Sequence, residues 1–357
     1  MKLNLAYSEI EKVLKASGIP NYEQGIFNAV KEVLGSEINC KTENGMCLVE
    51  INPSGSPFIL LGAHSDVLGG RVTEINKEGF IRFVTTGSSH VGWLNGRHVQ
   101  IATELAGTKV IGGKGKETVT GVIAHKDLHN QEPEERNKVP KVSELFIDVG
   151  AKSKEEVEKL GITVGDPIIY SITPEKLLND RVVCRGWDNR AGVLTLVETI
   201  RKIQTSNFRL QIPKVVFAFW GGEEVGLIGG HRGSHLFRPD IMINVDVGFA
   251  TQTPGTPKEA AAHGSVDLGD GVIINRGAVL DADLVKQAYE LSKKKKVKTQ
   301  FSVVAREPGT DATPFNRTSS RVLDLGIPCR YMHYDEVVDL DDIASASSLI
   351  VELLKSF

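Results

Sequence analysis

Residues 215–224 carry the sequence VVFAFWGGEE, in which an unbroken apolar run is followed by two glycines and two adjacent acids. An apolar run of this kind, without alternation, indicates a strand that is buried on both faces in a parallel sheet. Sites in open α/β folds gather at the carboxyl ends of such strands. Glu223 and Glu224 therefore mark a candidate site, where one acid can bind a metal ion and its neighbour can transfer a proton.

Other segments end or begin in the same way, each with a side chain that can bind a metal ion. Three further apolar runs cover residues 58–63, 241–245 and 327–332, and a helical pattern begins just after 186–190. Together with the first run they supply His64, Asp188, Glu224, Asp246 and His333. Imidazole and carboxylate together suit zinc, cobalt or manganese better than copper or an iron–sulfur cluster. We expect these side chains to converge at one edge of a sheet.

The composition is that of a soluble globular protein with room for two domains. The chain has 357 residues and a net charge of −3, so nothing in its charge favours nucleic acid or an anionic membrane as a partner. The first residues resemble no signal peptide, and no stretch approaches the roughly 18 apolar residues of a membrane span. We expect a cytoplasmic protein. The four cysteines form no CxxC pair, which predicts free buried thiols.

The pattern of predicted helices, strands and turns divides the chain into two interleaved domains. Helical and apolar-strand patterns fill residues 1–67 and resume in 163–357. Between them, residues 68–162 contain short β-like pieces separated by glycine and polar turns, which is typical of a small barrel or sandwich. We therefore predict an α/β catalytic domain, with a mixed sheet flanked by helices, that is interrupted by an inserted β-barrel-like domain. All five candidate ligands lie outside the insert.

Several short motifs, in this order, resemble the dinuclear-metal aminopeptidases of the glutamyl and deblocking aminopeptidase family, some of which have been labelled endoglucanases. The motifs are HSD at 64–66, PEER at 133–136, LFIDVGA at 145–151, GITVGDP at 161–167, DNR at 188–190, EEVGL at 223–227, DVG at 246–248, GTDA at 309–312 and His333. The resemblance covers most of the chain. It implies a zinc-exopeptidase-like catalytic domain and an insert that serves as a dimerisation domain.

The resemblance also implies a role for each candidate residue. Asp188 bridges two divalent metal ions; His64 and Asp246 complete one metal site, and Glu224 and His333 complete the other. Zinc is expected first, with cobalt and manganese left open. Glu223 is then the general base, and Asp66 orients a ligand histidine by hydrogen-bonding its far nitrogen. The family usually has a second acid where this chain has Asn189. After the histidine it usually continues Ser-Pro-x-Glu, whereas here Tyr334-Asp335-Glu336-Val337 follows His333.

The function implied is a metallo-aminopeptidase that acts on peptides with a free N-terminus and forms homo-oligomers, with dimers assembling into dodecamers. Two alternatives stay open from the residues alone. One is a dinuclear-metal carboxypeptidase or amide deacylase on a similar core, and the other is a metal-stabilised assembly protein without catalysis. His125 and His129 are interpreted as a solvated loop rather than a second metal site. The resemblance implies that the 309–312 loop lines the entrance of the active site, and the alternative of a capped turn before Pro314 stays open.

Overall fold

We describe the protein from a computed structural model, which describes residues 2–103, 118–205, 212–256, 260, 262–307 and 309–357. The strands are β1 Cys40–Glu43, β2 Met46–Ile51, β3 Phe58–His64, β4 Gly69–Ile75, β5 Ile81–Thr86, β6 His98–Ala102, β7 Thr118–Ala124, β8 Phe146–Asp148, β9 Pro167–Tyr170, β10 Glu175–Lys176, β11 Arg181–Cys184, β12 Lys214–Trp220, β13 Ile241–Phe249, β14 Val272–Gly277, β15 Thr299–Val304, β16 Arg321–Cys329 and β17 Glu336–Asp339.

The helices are α1 Tyr7–Lys15, α2 Gln24–Leu34, α3 Val91–Leu94, α4 Lys154–Lys159, α5 Trp187–Gln204, α6 Ile228–Leu236, α7 Ala282–Lys295 and α8 Leu340–Leu354. Short 3₁₀ turns occupy Leu128–Asn130, Val142–Glu144, Glu223–Val225 and Thr313–Arg317. Of the helices in the described part of the chain, none has the length and apolar composition that crossing a bilayer requires.

The catalytic half is built on a mixed sheet. Within the described residues, eight strands lie in the order β1-β2-β12-β3-β13-β16-β14-β15. The four central strands β12, β3, β13 and β16 run parallel, so their carboxyl ends share one edge. The strand predicted at 215–219 is thus central and buried, as its unbroken apolar run requires. The predicted fold class, a mixed sheet flanked by helices with an inserted barrel, is confirmed.

Helices cover both faces of this sheet. The larger apolar core packs α1, α2, α5, α7 and α8 against one face. On the other face, Trp220 and Phe315 centre a smaller core, with their rings stacked at a centroid distance of 6.2 Å. The indole of Trp220 lies directly over Gly62 of β3 and beside Gly229 and Gly233 of α6. The Trp220 side chain, packed against these glycines, therefore holds together the segments that precede His64 and Glu223.

The insert is a closed barrel with the strand order β4-β5-β8-β7-β6-β9 in the part of the chain that is described. Its core is separate from those of the sheet. The last barrel strand, β9, lies beyond residue 162, where we placed the end of the insert from sequence, because Gly165 and Asp166 turn the chain back to pair with β4. Residues 109–111, one of the short β-like pieces predicted within 68–162, lie outside the described residues.

The prediction of four free thiols is wrong for two of the cysteines. Cys40 and Cys47 form a disulfide across the β1–β2 hairpin, whereas Cys184 and Cys329 are free and buried. The hairpin turns at Asn44 and Gly45, both with positive φ, which is the conformation of the two-residue turn favoured by Asn-Gly. This turn makes Cys40 and Cys47 diagonal neighbours on paired strands, a relation that the search for CxxC spacing could not detect.

We predict that Gly62→Ala lowers the stability of the protein. A Cβ at this position would lie 2.0 Å from the Trp220 ring, so the core is overpacked at a cost of about 1–3 kcal/mol. The measurement is the melting temperature of purified variants. Gly309→Ala is the matched control, because its Cβ would meet no described atom within 4 Å. Equal melting temperatures for the two variants would contradict the packing described here.

Candidate active site

The structure brings every predicted ligand to one place at the carboxyl edge of the central strands. His64 is the last residue of β3, Asp246 lies within β13, and Glu224 lies in the 3₁₀ turn after β12. Asp188 opens α5, where the backbone of residues 188 and 189 is not yet helical and their peptide bond is cis. His333 differs from expectation in its setting, because β16 ends at Cys329 and the histidine lies in the loop that follows.

Asp188 stands between the two imidazoles. Its Oδ1 lies 3.1 Å from Nε2 of His64, and its Oδ2 lies 3.4 Å from Nε2 of His333. On the first side, Asp246 Oδ1 lies 3.5 Å from the same His64 nitrogen. On the second side, Glu224 Oε2 lies 4.0 Å from the His333 nitrogen. One carboxylate therefore joins two half-sites, each of which contains an imidazole and a further acid.

The spacing of these atoms fits a metal ion in each half-site. His64, Glu223 and Asp246 form one group, and Asp188, Glu224 and His333 form another, in each of which the ligand atoms lie within 4.8 Å of one another. Ligands bound to a tetrahedral zinc at 2.0–2.2 Å are about 3.4 Å apart. The contacts of 3.1–3.5 Å around His64 match that separation. The donor set, imidazole with carboxylate, is one that zinc accepts.

The buried acids strongly influence one another. Burial raises the pKa of Glu223 to about 10, with His64 opposing the rise and Asp246 adding to it. Burial and the charge of Asp188 raise the pKa of Glu224 well above its ordinary range. Burial also acts to raise the pKa of Asp188, but hydrogen bonds from His333 and His64 outweigh it and lower that pKa. The site thus holds more negative charge than its imidazoles neutralise, which favours divalent cations.

Asp66 holds the turn that carries the two glutamates. Its Oδ1 accepts a hydrogen bond from the backbone N–H of Glu223 at 3.1 Å, and its Oδ2 accepts one from Glu224 at 3.2 Å. The same carboxylate lies 3.5 Å from Nδ1 of His64, while the backbone carbonyl of Asp66 lies closer, at 3.2 Å. Asp66 therefore contacts both the ligand histidine and the segment after β12, and it is completely buried.

Glu336 is a residue of the site to which the sequence analysis gave no role. Its Oε2 accepts a hydrogen bond from the backbone N–H of Asp188 at 3.2 Å, and its Oε1 accepts one from His333 at 2.9 Å. Glu336 begins β17, which pairs with β11 just before Asp188. The carboxylate thus fixes the backbones of two ligands that are distant in sequence. The available signal was an acid three residues after His333.

Asn189 replaces an acid that the family resemblance led us to expect. Its Nδ2 donates to the backbone carbonyl of Val245 at 2.8 Å, and its Oδ1 accepts from the N–H of Gly192 at 2.8 Å. The side chain therefore caps the start of α5 and ties it to β13 beside Asp246. An ionised aspartate could not donate the first of these hydrogen bonds, so the amide is suited to this position.

The barrel contributes to the site through the loop that carries His333. The imidazole makes a hydrogen bond with the backbone of Ser88, which lies between β5 and α3. Next to it, Asp335 accepts hydrogen bonds from Arg97 and from the indole N–H of Trp93, and the Arg97 guanidinium lies 4.2 Å above the Trp93 ring. Barrel residues thus help to fix the loop that carries His333.

A cavity of about 650 Å³ opens at these ligands. It is lined by both imidazoles and by Asp188, Glu223, Glu224 and Asp246, and it extends over β14 and β15. Gly309 and Thr310 lie on its wall, and the adjacent Asp311 is buried and accepts a hydrogen bond from the N–H of Gly230 in α6. The volume is in the range of sites that bind small ligands or the end of a peptide.

The histidines of the barrel loop lie elsewhere. His125 borders a separate cavity of about 460 Å³ with Lys126 and Arg136, and its Nδ1 contacts the side-chain amide of Gln131 at 3.2 Å. His129 is exposed in the turn Leu128–Asn130. Within the described residues, neither histidine joins a group that could hold a metal ion.

Comparison with known proteins identifies the family. Residues 45–349 match the model of the M42 glutamyl aminopeptidases. The chain belongs to this family. It is 27% identical to the lysyl aminopeptidase of Pyrococcus furiosus over 352 residues, which cover 97% of this chain and 96% of the relative. The predicted resemblance is confirmed, and the protein is a hydrolase of the aminopeptidase class.

Solved structures agree with this assignment. The TET aminopeptidase from a marine-sediment Thaumarchaeota archaeon superposes with a TM-score of 0.87 at 28% identity, covering 98% of this chain and 95% of that one. The Pyrococcus horikoshii TET1 peptidase, which assembles into a tetrahedron or a large octahedral shell, gives a TM-score of 0.84 at 29% identity. That comparison covers 98% of this chain and 99% of the TET1 chain.

We predict that Glu336→Gln weakens metal binding. The amide keeps one acceptor oxygen but cannot accept from both Asp188 and His333, so both ligands lose their fixed orientation. Loss of such an outer partner lowers metal affinity by about 10- to 100-fold. The measurement is a zinc titration against a competing chelator. Glu50→Gln, at the exposed position of β2, is the control, and equal affinity in the two variants would refute the assigned role of Glu336.

Proposed function

We propose that the protein is a metal-dependent aminopeptidase that releases N-terminal residues from peptides, with two divalent metal ions, zinc first among them, and Glu223 as general base. The observation that carries this proposal is the position of Asp188, whose two oxygens face His64 and His333 at 3.1 and 3.4 Å. The site lies in a cavity large enough for a peptide end. The family membership supports the aminopeptidase reaction.

The residues divide into two sets that would hold the metal ions. His64 and Asp246 would bind one ion, Glu224 and His333 the other, and Asp188 would bind both. When bound, such a pair polarises the scissile carbonyl and lowers the pKa of the attacking water. Asp66 and Glu336 keep the ligand segments in place through backbone hydrogen bonds.

Glu223 is the residue that we propose to move the proton. Its Oε2 lies 3.8 Å from Nε2 of His64, whereas the adjacent Glu224 faces His333, so the two glutamates serve opposite half-sites. Glu223 would accept the proton of the attacking water and deliver it to the leaving amine as the peptide bond breaks. Burial raises the pKa of Glu223. Metal ions bound by the neighbouring ligands would lower that pKa toward neutrality, where a general base works best.

The proposed site also suits a substrate with a free α-amine. The nitrogen of such an amine could bind at one of the two metal positions, and this would restrict cleavage to the first residue of a peptide. By likeness to the TET aminopeptidases, we further infer that the chain forms homo-oligomers in which dimers assemble into dodecamers, with residues 68–162 as the dimerisation domain. The division into 1–67, 68–162 and 163–357 belongs to the same proposal, with β9 added to the barrel from the third segment.

We predict that Glu223→Gln keeps its metal and loses its activity. The amide cannot accept a proton, so kcat should fall by about 10²- to 10⁴-fold. The measurements are turnover of an aminoacyl p-nitroanilide and the metal content of the dialysed protein. Glu135→Gln, on the surface of the insert, is the control. Unchanged kcat would exclude Glu223 as the base, and loss of a metal ion would make it a ligand instead.

We predict that hydrolysis requires a free N-terminus. A site that binds the substrate amine rejects an analogue that cannot make this contact by about 10⁴-fold. The measurement compares a leucyl peptide with its N-acetylated form, using zinc-, cobalt- and manganese-loaded protein. Cleavage of the blocked peptide would instead favour the carboxypeptidase or amide deacylase. No cleavage of either peptide, with dissociation of the oligomer by a chelator, would favour an assembly protein.

A further inference from the structure

Three polar side chains meet within the otherwise apolar centre of the sheet. Asp324 of β16 lies opposite Asn244 of β13 in the parallel ladder. The Asn244 amide donates to Oδ1 of Asp324 at 2.9 Å, and the Asn275 amide, from β14 on the other side, donates to Oδ2 at 2.7 Å. Asp324 and Asn244 are each 1% exposed. A carboxylate is thus held in a fixed orientation by neighbours from both adjoining strands.

This carboxylate belongs to the same cavity as the metal ligands. Asn244 and Asp246 are two positions apart on β13, so their side chains face the same side of the sheet, about 7 Å apart. Asp246 pairs with Gly326, the next position of β16 on that face, and Ile273 of β14 packs against this glycine. Asp246, Asn275 and Asp324 all line the 650 Å³ cavity. The cavity therefore runs from the ligands to the Asp324 carboxylate.

Burial raises the pKa of Asp324 to about 7, and the described part of the chain supplies it with no counter-ion. Both of its hydrogen bonds come from neutral amides, and no lysine, arginine or histidine of the described residues forms an ion pair with it. A buried carboxylate without a counter-ion is costly, while apolar neighbours such as Met242 and Val322 show that the sheet accepts apolar residues here. A carboxylate offers about four acceptor positions, of which two are used. It can still bind a cation that enters the cavity.

We propose that this arm of the cavity binds the side chain of the substrate's N-terminal residue, and that Asp324 selects a cationic one, lysine or arginine. The inference rests on the proposed aminopeptidase function and names its substrate class. The exposed apolar side chains of Phe249 and Val303 also line the cavity and can contact the aliphatic stem of such a residue. The ammonium or guanidinium group would then reach the fixed carboxylate.

The test compares substrates that differ only in this charge. Lysyl and norleucyl p-nitroanilides have side chains of similar length, with and without the ammonium. We expect the wild-type kcat/KM for the lysyl substrate to exceed that for the norleucyl substrate by about 10- to 100-fold, the range for a hydrogen bond to a charged group. In Asp324→Asn this ratio should fall to near one. Asp283→Asn, at the exposed start of α7, is the control.

Each outcome decides the inference separately from the proposed function. A wild-type ratio at or below one overturns the inference even if Asp324→Asn does not fold, and so does an unchanged ratio in a folded variant. A preference for glutamyl substrates also overturns it, and would favour Arg306 on the same cavity. Failure to hydrolyse any aminoacyl substrate would instead contradict the aminopeptidase function.

Discussion

The contact of one aspartate with two imidazoles organises the whole site. Asp188 lies at the start of α5, His64 at the end of β3 and His333 in the loop after β16, so three separate segments must meet within hydrogen-bonding distance. The remaining acids cannot all be ionised in so small a buried space unless cations bind beside them. The parallel arrangement of the central strands, the Trp220 packing and the hydrogen bonds of Asp66 and Glu336 all serve to maintain this meeting.

Much of this arrangement could be predicted from sequence because it follows from local patterns. The run at 215–219 had to be buried on both faces, and strands of that kind run parallel and end on one edge. Because His64 and Glu224 follow such runs, their convergence could be expected before any coordinates. The texture of short strands and turns likewise identified the inserted barrel, although not the position of its last strand.

The features that sequence could not supply depend on partners distant along the chain. Glu336 is one acid among many until β17 pairs with β11 and brings it beneath Asp188. Asn189 looked like a departure from a family pattern, and only its contacts with Val245 and Gly192 show why an amide suits that position. The disulfide between Cys40 and Cys47 could be inferred only from the register of the β1–β2 hairpin. The role proposed for Asp324 depends on its hydrogen bonds with Asn244 and Asn275, which the sequence does not show.

The contact between Arg97 and Asp335 has a consequence for how the molecule transmits motion. Among the described residues, the charged partners of His64 are Asp66, Asp188, Glu223 and Asp246, whereas the loop that carries His333 is also held by the barrel. A displacement of the barrel would therefore act first on the His333 half of the site. A partner or a neighbouring subunit that binds the barrel would in this way change the geometry of the candidate active site without contacting it.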